Sequence, residues 1–428
     1  MRPPVSWESF VPEQRIAAAT GYDVCVVGLG YIGLPTAAVV ARSGARVIGI
    51  DVSQRVVDTV ARGDIHIEEA DLDTLVRDVV TLGRLTTATV PASADTFVIA
   101  VPTPFGPGHV PDLSHVLDAT RAIAPVLRPG NAVILESTSP VGTTERIRDL
   151  LAELRPDLAL PGIAAQPDIA VAYCPERVLP GRILLELVSN ERSIGGITPA
   201  CAEAACAFYR RFVEGACTVT SARTAEMVKL VENTSRDVAI AFANELSIVC
   251  DRMDLNVWDV IDLANRHPRV NILRPGPGVG GHCIAVDPWF IVDAAPDETP
   301  LIRTAREVND GKVDHVVARA CAMLDADPSA RAALLGLAFK ADIDDLRESP
   351  AVKVAQRLIA RHGDRIDLVE PFVDTLPSAL AGGRLVSLDD ALAQDDILIV
   401  LVDHSAFSAV PPEARAGKRV YDTRGLWR

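Results

Sequence analysis

Cys283 is the residue whose surroundings best suit nucleophilic chemistry. It follows a loop, residues 275–280, in which every residue but Val279 is proline or glycine, so the loop cannot form a helix or an inner strand. Asp287 and Pro288 come next and predict a helix with Asp287 as N-cap. Because the positive end of a helix favours thiolate, the spacing predicts a nucleophilic thiol there. The alternative for Cys283 is a small buried hydrophobic side chain.

A second candidate site lies near the N-terminus. Gly28, Gly30 and Gly33 form a GxGxxG motif between the β-branched run 22–27 and the apolar run 34–41. A further predicted strand, residues 46–50, ends in Asp51. Strand, glycine motif, helix, strand and acid together predict a dinucleotide site, with the pyrophosphate at the helix N-terminus. Asp51 would bind a ribose and repel a 2′-phosphate, which favours NAD over NADP.

Three more polar residues follow predicted strands. Thr103 follows the strand 96–101, Thr138 the strand 132–135 and Glu176 the strand 169–173. Ligands of open parallel sheets bind beyond the carboxyl ends of the strands. The two threonines are therefore candidates for cofactor or substrate contact and Glu176 for a general base. The alternatives are ordinary turn chemistry and an exposed surface glutamate.

One long helix is predicted over residues 220–251, with Ser221 as its cap. Lys229 and Asn233 lie four residues apart and so share a face. Near a catalytic thiol such a lysine could stabilise an oxyanion, whereas most lysines on helices are solvated. A long central helix commonly pairs with its copy in a dimer.

A second α/β unit begins with the strand 333–339 and lacks a GxGxxG motif, so Lys340 is a candidate phosphate contact in it. Further strands are predicted at residues 366–369, 396–402 and 419–421, and a helix from Ser349–Pro350. The predicted fold class is α/β, with two Rossmann-like doubly wound domains joined by a long central helix and a helical dimerisation region. The predicted domains are an arm, an NAD-binding domain, a central helical domain and a UDP-binding domain (1–20, 21–215, 216–320, 321–428).

Composition narrows the class of partner. The 428 residues carry a net charge of −15, which argues against nucleic acid, and no apolar run approaches the length of a membrane span. The eight cysteines form no CxxC pair or zinc spacing, so no metal site is predicted and a reduced, cytoplasmic location is favoured.

Six segments together resemble, in the same order, the nucleotide-sugar 6-dehydrogenases, of which UDP-glucose dehydrogenase is the familiar example. They are residues 28–33, 136–141, 173–181, 226–233, 276–287 and 339–350. The likeness extends from about residue 23 to residue 428. Residues 264–272 and 278–290 most resemble the members of the family that act on UDP-N-acetyl-D-mannosamine.

The resemblance implies an N-terminal Rossmann domain that binds NAD, a helical middle that forms a dimer or higher homo-oligomer, and a C-terminal domain that binds UDP. It implies oxidation of a C6 alcohol to a carboxylate with two NAD reduced, through a thiohemiacetal and a thioester on Cys283. The implied catalytic set is Cys283, Lys229, Asn233, Asp287, Glu176 and Thr138. The cofactor set is Gly28, Gly30, Tyr31, Ile32, Gly33, Asp51, Arg55, Thr103, Thr138 and Arg347. The substrate set is Glu176, Arg177, Lys229, Asn233, His267, Gly280, Lys340 and, from the neighbouring subunit, Arg269.

Departures from UDP-glucose dehydrogenase concern the sugar. His282 and Ile284 replace the usual neighbours of the cysteine, and Pro180 stands where an acidic residue often occurs. UDP-N-acetyl-D-mannosamine is the expected substrate, with UDP-N-acetylglucosamine and UDP-glucose as alternatives. Rival classes are a two-electron dehydrogenase and a non-catalytic nucleotide-binding regulator. Either Asp287 or Glu176 could activate the hydrolytic water, and a role in envelope polysaccharide synthesis is expected by analogy.

Overall fold

The computed structural model describes residues 21–179, 181–281 and 283–427. Outside the described residues lie the predicted arm 1–20 and two of the residues that distinguish the chain from UDP-glucose dehydrogenase, Pro180 and His282. The chain divides into two compact units, Met1–Leu230 and Val231–Arg428. The predicted α/β class with two Rossmann-like sheets is confirmed, whereas the predicted domain boundaries at residues 215 and 320 stay predictions.

An eight-stranded sheet organises the first unit. Its strands are β1 Tyr22–Val27, β2 Val47–Ile50, β3 Leu85–Ala88, β4 Ala94–Ile99, β5 Ala132–Leu135, β6 Ala170–Tyr173, β7 Arg192–Gly196 and β8 Cys217–Ser221. Their order is β3-β2-β1-β4-β5-β6-β7-β8, and only β6 and β7 pair antiparallel. The expected strand 96–101 begins and ends two residues earlier, at Ala94 and Ile99.

Helices cover both faces of this sheet. They are α1 Gly33–Arg42, α2 Gln54–Ala61, α3 Leu72–Thr81, α4 Ser114–Ile123, α5 Thr143–Leu154, α6 Ile183–Ser189 and α7 Pro199–Tyr209. Alternate residues of β1 enter different cores: Val24 and Val26 pack with α1, α3, α6 and α7, and Cys25 and Val27 pack with α4 and α5. Burial on both faces explains why the strands are continuous apolar runs rather than alternating ones.

The long helix α8, Ala222–Arg252, begins in the first unit and continues into the second. Ser221 accepts a hydrogen bond from the backbone N–H of Thr224 at 3.1 Å, which confirms the predicted cap. Two stripes run along the helix at spacings of three, four, seven and eleven residues. One is polar and mostly buried, consisting of Glu226, Lys229, Asn233, Asp237 and Asn244. The other is apolar and exposed, consisting of Met227, Val231, Phe242 and Val249.

The second unit repeats the central strand order of the first. Its strands are β9 Ala332–Leu335, β10 Ile366–Val369, β11 Arg384–Leu385, β12 Ile397–Val400 and β13 Arg419–Asp422, all parallel in the order β11-β10-β9-β12-β13. Its further helices are α9 Val257–Ala264, α10 Asp287–Ala294, α11 Pro300–Asp325, α12 Pro350–His362, α13 Leu388–Gln394 and α14 Ser405–Ser408. None of the helices in the described ranges has the length and apolarity needed to cross a bilayer.

Both sheets place an acid after the second strand, and that acid binds the loop after the first. In the first unit the N–H of Leu29 donates to Asp51 at 3.0 Å. In the second the N–H of Leu337 donates to Glu370 at 2.7 Å. Asp51 is half-buried, but Glu370 is buried and also accepts from His404 Nε2 at 3.1 Å, so its carboxylate is bound within the unit.

Candidate active site

The segment from Gly276 to Asp287, here the cysteine loop, carries the predicted nucleophile. Cys283 is exposed and lies in a turn whose backbone leads into α10, since its carbonyl accepts from the N–H groups of Val286 at 3.1 Å and Asp287 at 2.9 Å. The other cysteines of the chain are buried or, for Cys217, half-buried. The prediction that Asp287 caps α10 is wrong by one residue, because this turn makes Val286 the N-cap and Asp287 the first helical residue.

Helix α8 holds the cysteine loop at both ends. Asn233 donates from its side-chain amide to the buried carboxylate of Asp287 at 2.5 Å. Eleven residues further along, the side-chain oxygen of Asn244 accepts from the backbone N–H of Gly276 at 2.9 Å. Asn244 is itself fixed by Asn309 of α11, at 2.8 Å. The predicted residues Cys283, Asn233 and Asp287 are thus brought together in the second unit.

Glycines allow the cysteine loop to pack against the segment that contains Lys340. A Cβ atom on Gly280 would lie 2.7 Å from the carbonyl oxygen of Glu348, and one on Gly281 would lie 2.9 Å from the ring of Phe339. Gly281 also has a φ of +82°, which side chains rarely adopt. The adjacent Lys340 is exposed, as a residue predicted to contact a soluble phosphate should be.

Lys229 and Glu176 form a buried pair in the first unit. The Lys229 ammonium donates to the Glu176 carbonyl oxygen at 2.9 Å and to its carboxylate at 3.4 Å. Exposure is 6% for the lysine and 7% for the glutamate, so the alternatives of a solvated lysine and a surface glutamate are wrong. A buried amine beside a carboxylate can stabilise developing negative charge or transfer a proton.

The loop after β5 is fixed from two sides. Thr103 donates from its hydroxyl to the carbonyl of Thr138, so these two predicted residues meet. At the other end of the loop, Glu226 of α8 accepts from the N–H groups of Gly142 at 2.6 Å and Thr144 at 2.8 Å. These contacts place the Thr138 loop and the Glu176 loop around the first turns of α8.

The glycine motif fits a dinucleotide. A Cβ on Gly28 would lie 2.5 Å from the carbonyl oxygen of Ala100, and one on Gly33 would lie 1.8 Å from that of Gly28, so both glycines are required by internal packing. Beside Gly30 a Cβ would meet no atom within 4 Å, which leaves room for a pyrophosphate. Tyr31 and Ile32 form the turn into α1.

A buried polar cluster lies at the carboxyl ends of β5 and β6. Glu136 accepts from Thr36 of α1 at 3.0 Å and from the Tyr209 hydroxyl at 3.3 Å. Burial raises the pKa of Glu136 to about 7, although the nearby Arg192 guanidinium opposes the shift. Arg192 is almost wholly buried and donates to the carbonyls of Leu187 at 3.0 Å and Pro175 at 3.5 Å, directly before Glu176.

The remaining predicted residues lie in several places. His267 and Arg269 are both exposed in the turn after α9, where the Arg269 N–H donates to His267 Nδ1 at 3.3 Å. Arg177 donates to Ser193 at 2.9 Å. The exposed Arg347 pairs with Asp345, and the exposed Arg55 lies in the first turn of α2. Their assigned roles stay predictions.

Sequence reasoning missed Glu226, Asn244, Glu136 and Arg192 as residues that hold the site. Glu226 had a local signal, since it lies three residues before Lys229 on the same helix face. Arg424 was also missed, and its guanidinium lies against Gly276 of the cysteine loop, where a Cβ would be 2.5 Å from its Nη1. No local pattern marked Asn244, Arg192 or Arg424.

Family models match three parts of the chain. They describe the NAD binding domain, the central domain and the UDP binding domain of the UDP-glucose/GDP-mannose dehydrogenase family, at residues 22–213, 223–311 and 333–428 respectively.

Individual relatives match nearly the whole chain. The NDP-N-acetyl-D-galactosaminuronic acid dehydrogenase of Ralstonia nicotianae is 56% identical over 405 residues, which is 94% of this chain and 96% of the relative. The UDP-N-acetyl-D-mannosamine dehydrogenase of Salmonella typhi is 55% identical over 415 residues, 95% and 99% of the two chains. A solved structure of the UDP-D-ManNAc dehydrogenase from Pyrococcus horikoshii aligns with a TM-score of 0.85 and 38% identity, over 95% of this chain and 96% of that one.

Proposed function

The chain belongs to the UDP-glucose/GDP-mannose dehydrogenase family of NAD-dependent oxidoreductases, and from this premise we propose that it oxidises C6 of UDP-N-acetyl-D-mannosamine to the carboxylate. Family membership makes it a nucleotide-sugar dehydrogenase that uses NAD. The finer assignment, a four-electron oxidation through Cys283, rests chiefly on one observation: an exposed thiol in the turn before α10, beside the buried Asp287 and its hydrogen-bond partner Asn233.

The proposed chemistry removes two hydrides from one carbon. NAD, when bound, accepts a hydride in each of two rounds. After the first round the Cys283 thiolate adds to the C6 aldehyde and forms a thiohemiacetal, which keeps the carbon on the protein with one hydride left to lose. The second round gives a thioester, and water releases the carboxylic acid and the thiol.

The other polar residues have roles at charge and protons. Lys229 and Asn233 hold the developing oxyanion, an effect typically worth about 3 kcal/mol per donor. Asp287 and Glu176 are the two candidates for taking a proton from water; both carboxylates are buried and accept hydrogen bonds, from Asn233 and Lys229 respectively. Lys340 and the partner subunit's Arg269 bind the nucleotide sugar.

A second substrate is favoured by one observation. The relative from Ralstonia is named for N-acetyl-D-galactosaminuronic acid and is as similar to this chain as the relative from Salmonella, which is named for N-acetyl-D-mannosamine. N-acetyl-D-galactosaminuronic acid is what oxidation of the C6 alcohol of N-acetyl-D-galactosamine gives, and that sugar shares its acetamido group with N-acetyl-D-mannosamine, so the proposed chemistry is unchanged. UDP-N-acetyl-D-galactosamine is therefore the second candidate.

We propose that the chain works as a homodimer in the cytoplasm. Phe242 and Val249 are 56% and 45% exposed on the same stripe of α8, a face that suits pairing with its own copy. The turn with His267 and Arg269 would then reach the neighbouring subunit. The eight cysteines form no CxxC pair, which supports a reducing compartment.

The decisive experiment is to count NADH formed per sugar over a panel of UDP-sugars. Two NADH with UDP-N-acetyl-D-mannosamine support the proposal, one indicates a two-electron dehydrogenase and none a regulator. Cys283→Ser should stop uronate formation, measured by mass spectrometry, while Cys217→Ser serves as the matched control. Undiminished uronate from Cys283→Ser would refute the nucleophile assignment.

A further inference from the structure

Glu226 is a buried carboxylate that accepts three hydrogen bonds from a single turn. Besides the N–H groups of Gly142 and Thr144, it accepts from the Thr144 hydroxyl at 2.6 Å. Its side chain is fully buried, and burial raises its pKa. Gly142 is the N-cap of α5 and has no side chain, so a residue of α8 supplies the cap that the sequence of α5 lacks.

The position of Glu226 on α8 gives this cap a second consequence. Lys229 lies three residues further on, one turn along the same face. Its ammonium donates to the backbone carbonyl and to the carboxylate of Glu176. The bonds from Glu226 to the start of α5 therefore fix the position and rotation of α8. In this way they hold Lys229 against Glu176.

The captured turn also leads directly to Thr138. Residues 137–143 are tied internally, since Thr143 donates to the Pro140 carbonyl at 2.6 Å and Ser139 to the Ser137 carbonyl at 3.1 Å. The cap couples the two strand-end loops to one helix.

A second ion pair joins the same two helices and is a natural control. Arg223 of α8 contacts Glu145 of α5 at 2.8 Å, but the two side chains are 60% and 36% exposed. Exposed pairs contribute little because water screens them and their side chains must be ordered. The pair connects α8 and α5 without meeting a backbone amide.

From this geometry we propose that Glu226 is a positioning residue for the reaction, holding Lys229 against Glu176 by capping α5. The inference rests on the proposed function, in which Lys229 and Glu176 act at the reacting carbon. It adds a residue that contacts neither substrate nor cofactor and whose effect on turnover passes through Lys229.

The test is a double-mutant cycle on kcat of the full-length enzyme. Glu226→Ala should lower kcat by about 100-fold, the loss expected when a catalytic group is misplaced by about 1 Å. Glu226→Gln keeps one acceptor oxygen and should recover about tenfold of that loss, whereas Glu145→Gln should leave kcat within about twofold. In a Lys229→Ala background, Glu226→Ala should lower kcat by less than about threefold further, because coupled residues are not additive.

Three outcomes would overturn the proposal, and they differ from one another. If Glu226→Ala lowers kcat by the same factor in the wild type and in Lys229→Ala, the two residues act independently. Lys229 would then keep its catalytic role, and Glu226 would not be its positioning residue. Wild-type kcat in Lys229→Ala would instead remove the lysine from the proposed function and the positioning role with it. If Glu226→Ala does not fold, Glu226→Gln carries the same cycle, and wild-type kcat in that folded variant would exclude the proposal.

Discussion

Replacing Glu136 by glutamine should change how pH affects the stability of the first unit. Glu136 is buried, and burial raises its pKa from 4.5 to about 7. Arg192 opposes this shift and the Glu176 carboxylate adds to it; the other titratable groups close by are Tyr209 and Cys174. A carboxyl whose pKa is higher in the folded state retains a proton that the unfolded chain releases. The folded state therefore loses stability as pH rises from about 4.5 to about 7.

The magnitude follows from the shift. A rise from 4.5 to about 7 corresponds to about 3 kcal/mol at 1.36 kcal/mol per pKa unit. At pH 5 the unfolded carboxyl is already mostly ionised, so about 2 to 3 kcal/mol of the change remains between pH 5 and pH 8. Glutamine has no proton to lose. Glu136→Gln should thus be close to the wild type in stability at pH 5 and more stable than it by about 2 to 3 kcal/mol at pH 8.

The measurement must isolate the first unit, because a chain of two units need not unfold in one step. Native-state hydrogen exchange of peptides covering β5 and β6, corrected for the intrinsic pH dependence of exchange, gives the local free energy of unfolding at each pH. Glu145→Gln is the exposed control and should follow the wild type. If the wild-type and Glu136→Gln profiles stay parallel from pH 5 to pH 8, Glu136 does not titrate in this range and the reasoning fails.

The remaining predictions concern the cofactor, the thiol and the assembly. Asp51→Ala should raise KM for NAD and reduce the preference for NAD over NADP, measured as the ratio of their kcat/KM values; an unchanged ratio would exclude the ribose contact. Gly30→Val should weaken NAD binding by at least about tenfold, because its side chain fills the space the pyrophosphate needs, with no change in melting temperature; wild-type affinity in calorimetry would show that the cofactor binds elsewhere. Limiting iodoacetamide should alkylate Cys283 before any other thiol, and peptide mapping that finds another cysteine modified first would contradict its exposure. Phe242→Asp should yield monomers in light scattering, and a dimer of unchanged stability would exclude this face of α8 as the interface.

Local sequence signals predicted the parts of the fold that local physics controls. The glycine motif and the strand that ends in Asp51 were read correctly, because a dinucleotide turn constrains a short, contiguous stretch. Ser349 and Pro350 likewise predicted α12, and the Ser349 side chain accepts the N–H of Ala351 as a cap should. The predicted cap of α10 was wrong by one residue, because the turn at Cys283 shifts the helix start.

The contacts that hold the site were beyond reach of sequence because their partners are distant in the chain. Glu226 and Thr144 are separated by 82 residues, and Asn244 and Gly276 by 32. No periodicity links such pairs, and Glu226, Thr144 and Asn244 are each an ordinary polar position on a helix. Burial of Lys229 also depends on the Thr138 loop and the Glu176 loop, which lie around the first turns of α8. The spacing of residues along one helix cannot predict this arrangement.

The acid that follows the second strand in each sheet has a consequence for selectivity. Members of this family bind a cofactor and a substrate that each contain a nucleotide diphosphate. Each sheet must therefore distinguish between two ligands whose phosphates are similar. Asp51 is half-buried, whereas the buried Glu370 accepts from Leu337, Ala338, Phe372 and His404. His404 is in turn held by the N–H of Asp342 on its Nδ1, so the proton on Nε2 stays directed at Glu370. The ribose of NAD needs a carboxylate that it can reach, and the carboxylate after β10 is buried. An excess of NAD should therefore not compete with the sugar nucleotide for the second sheet.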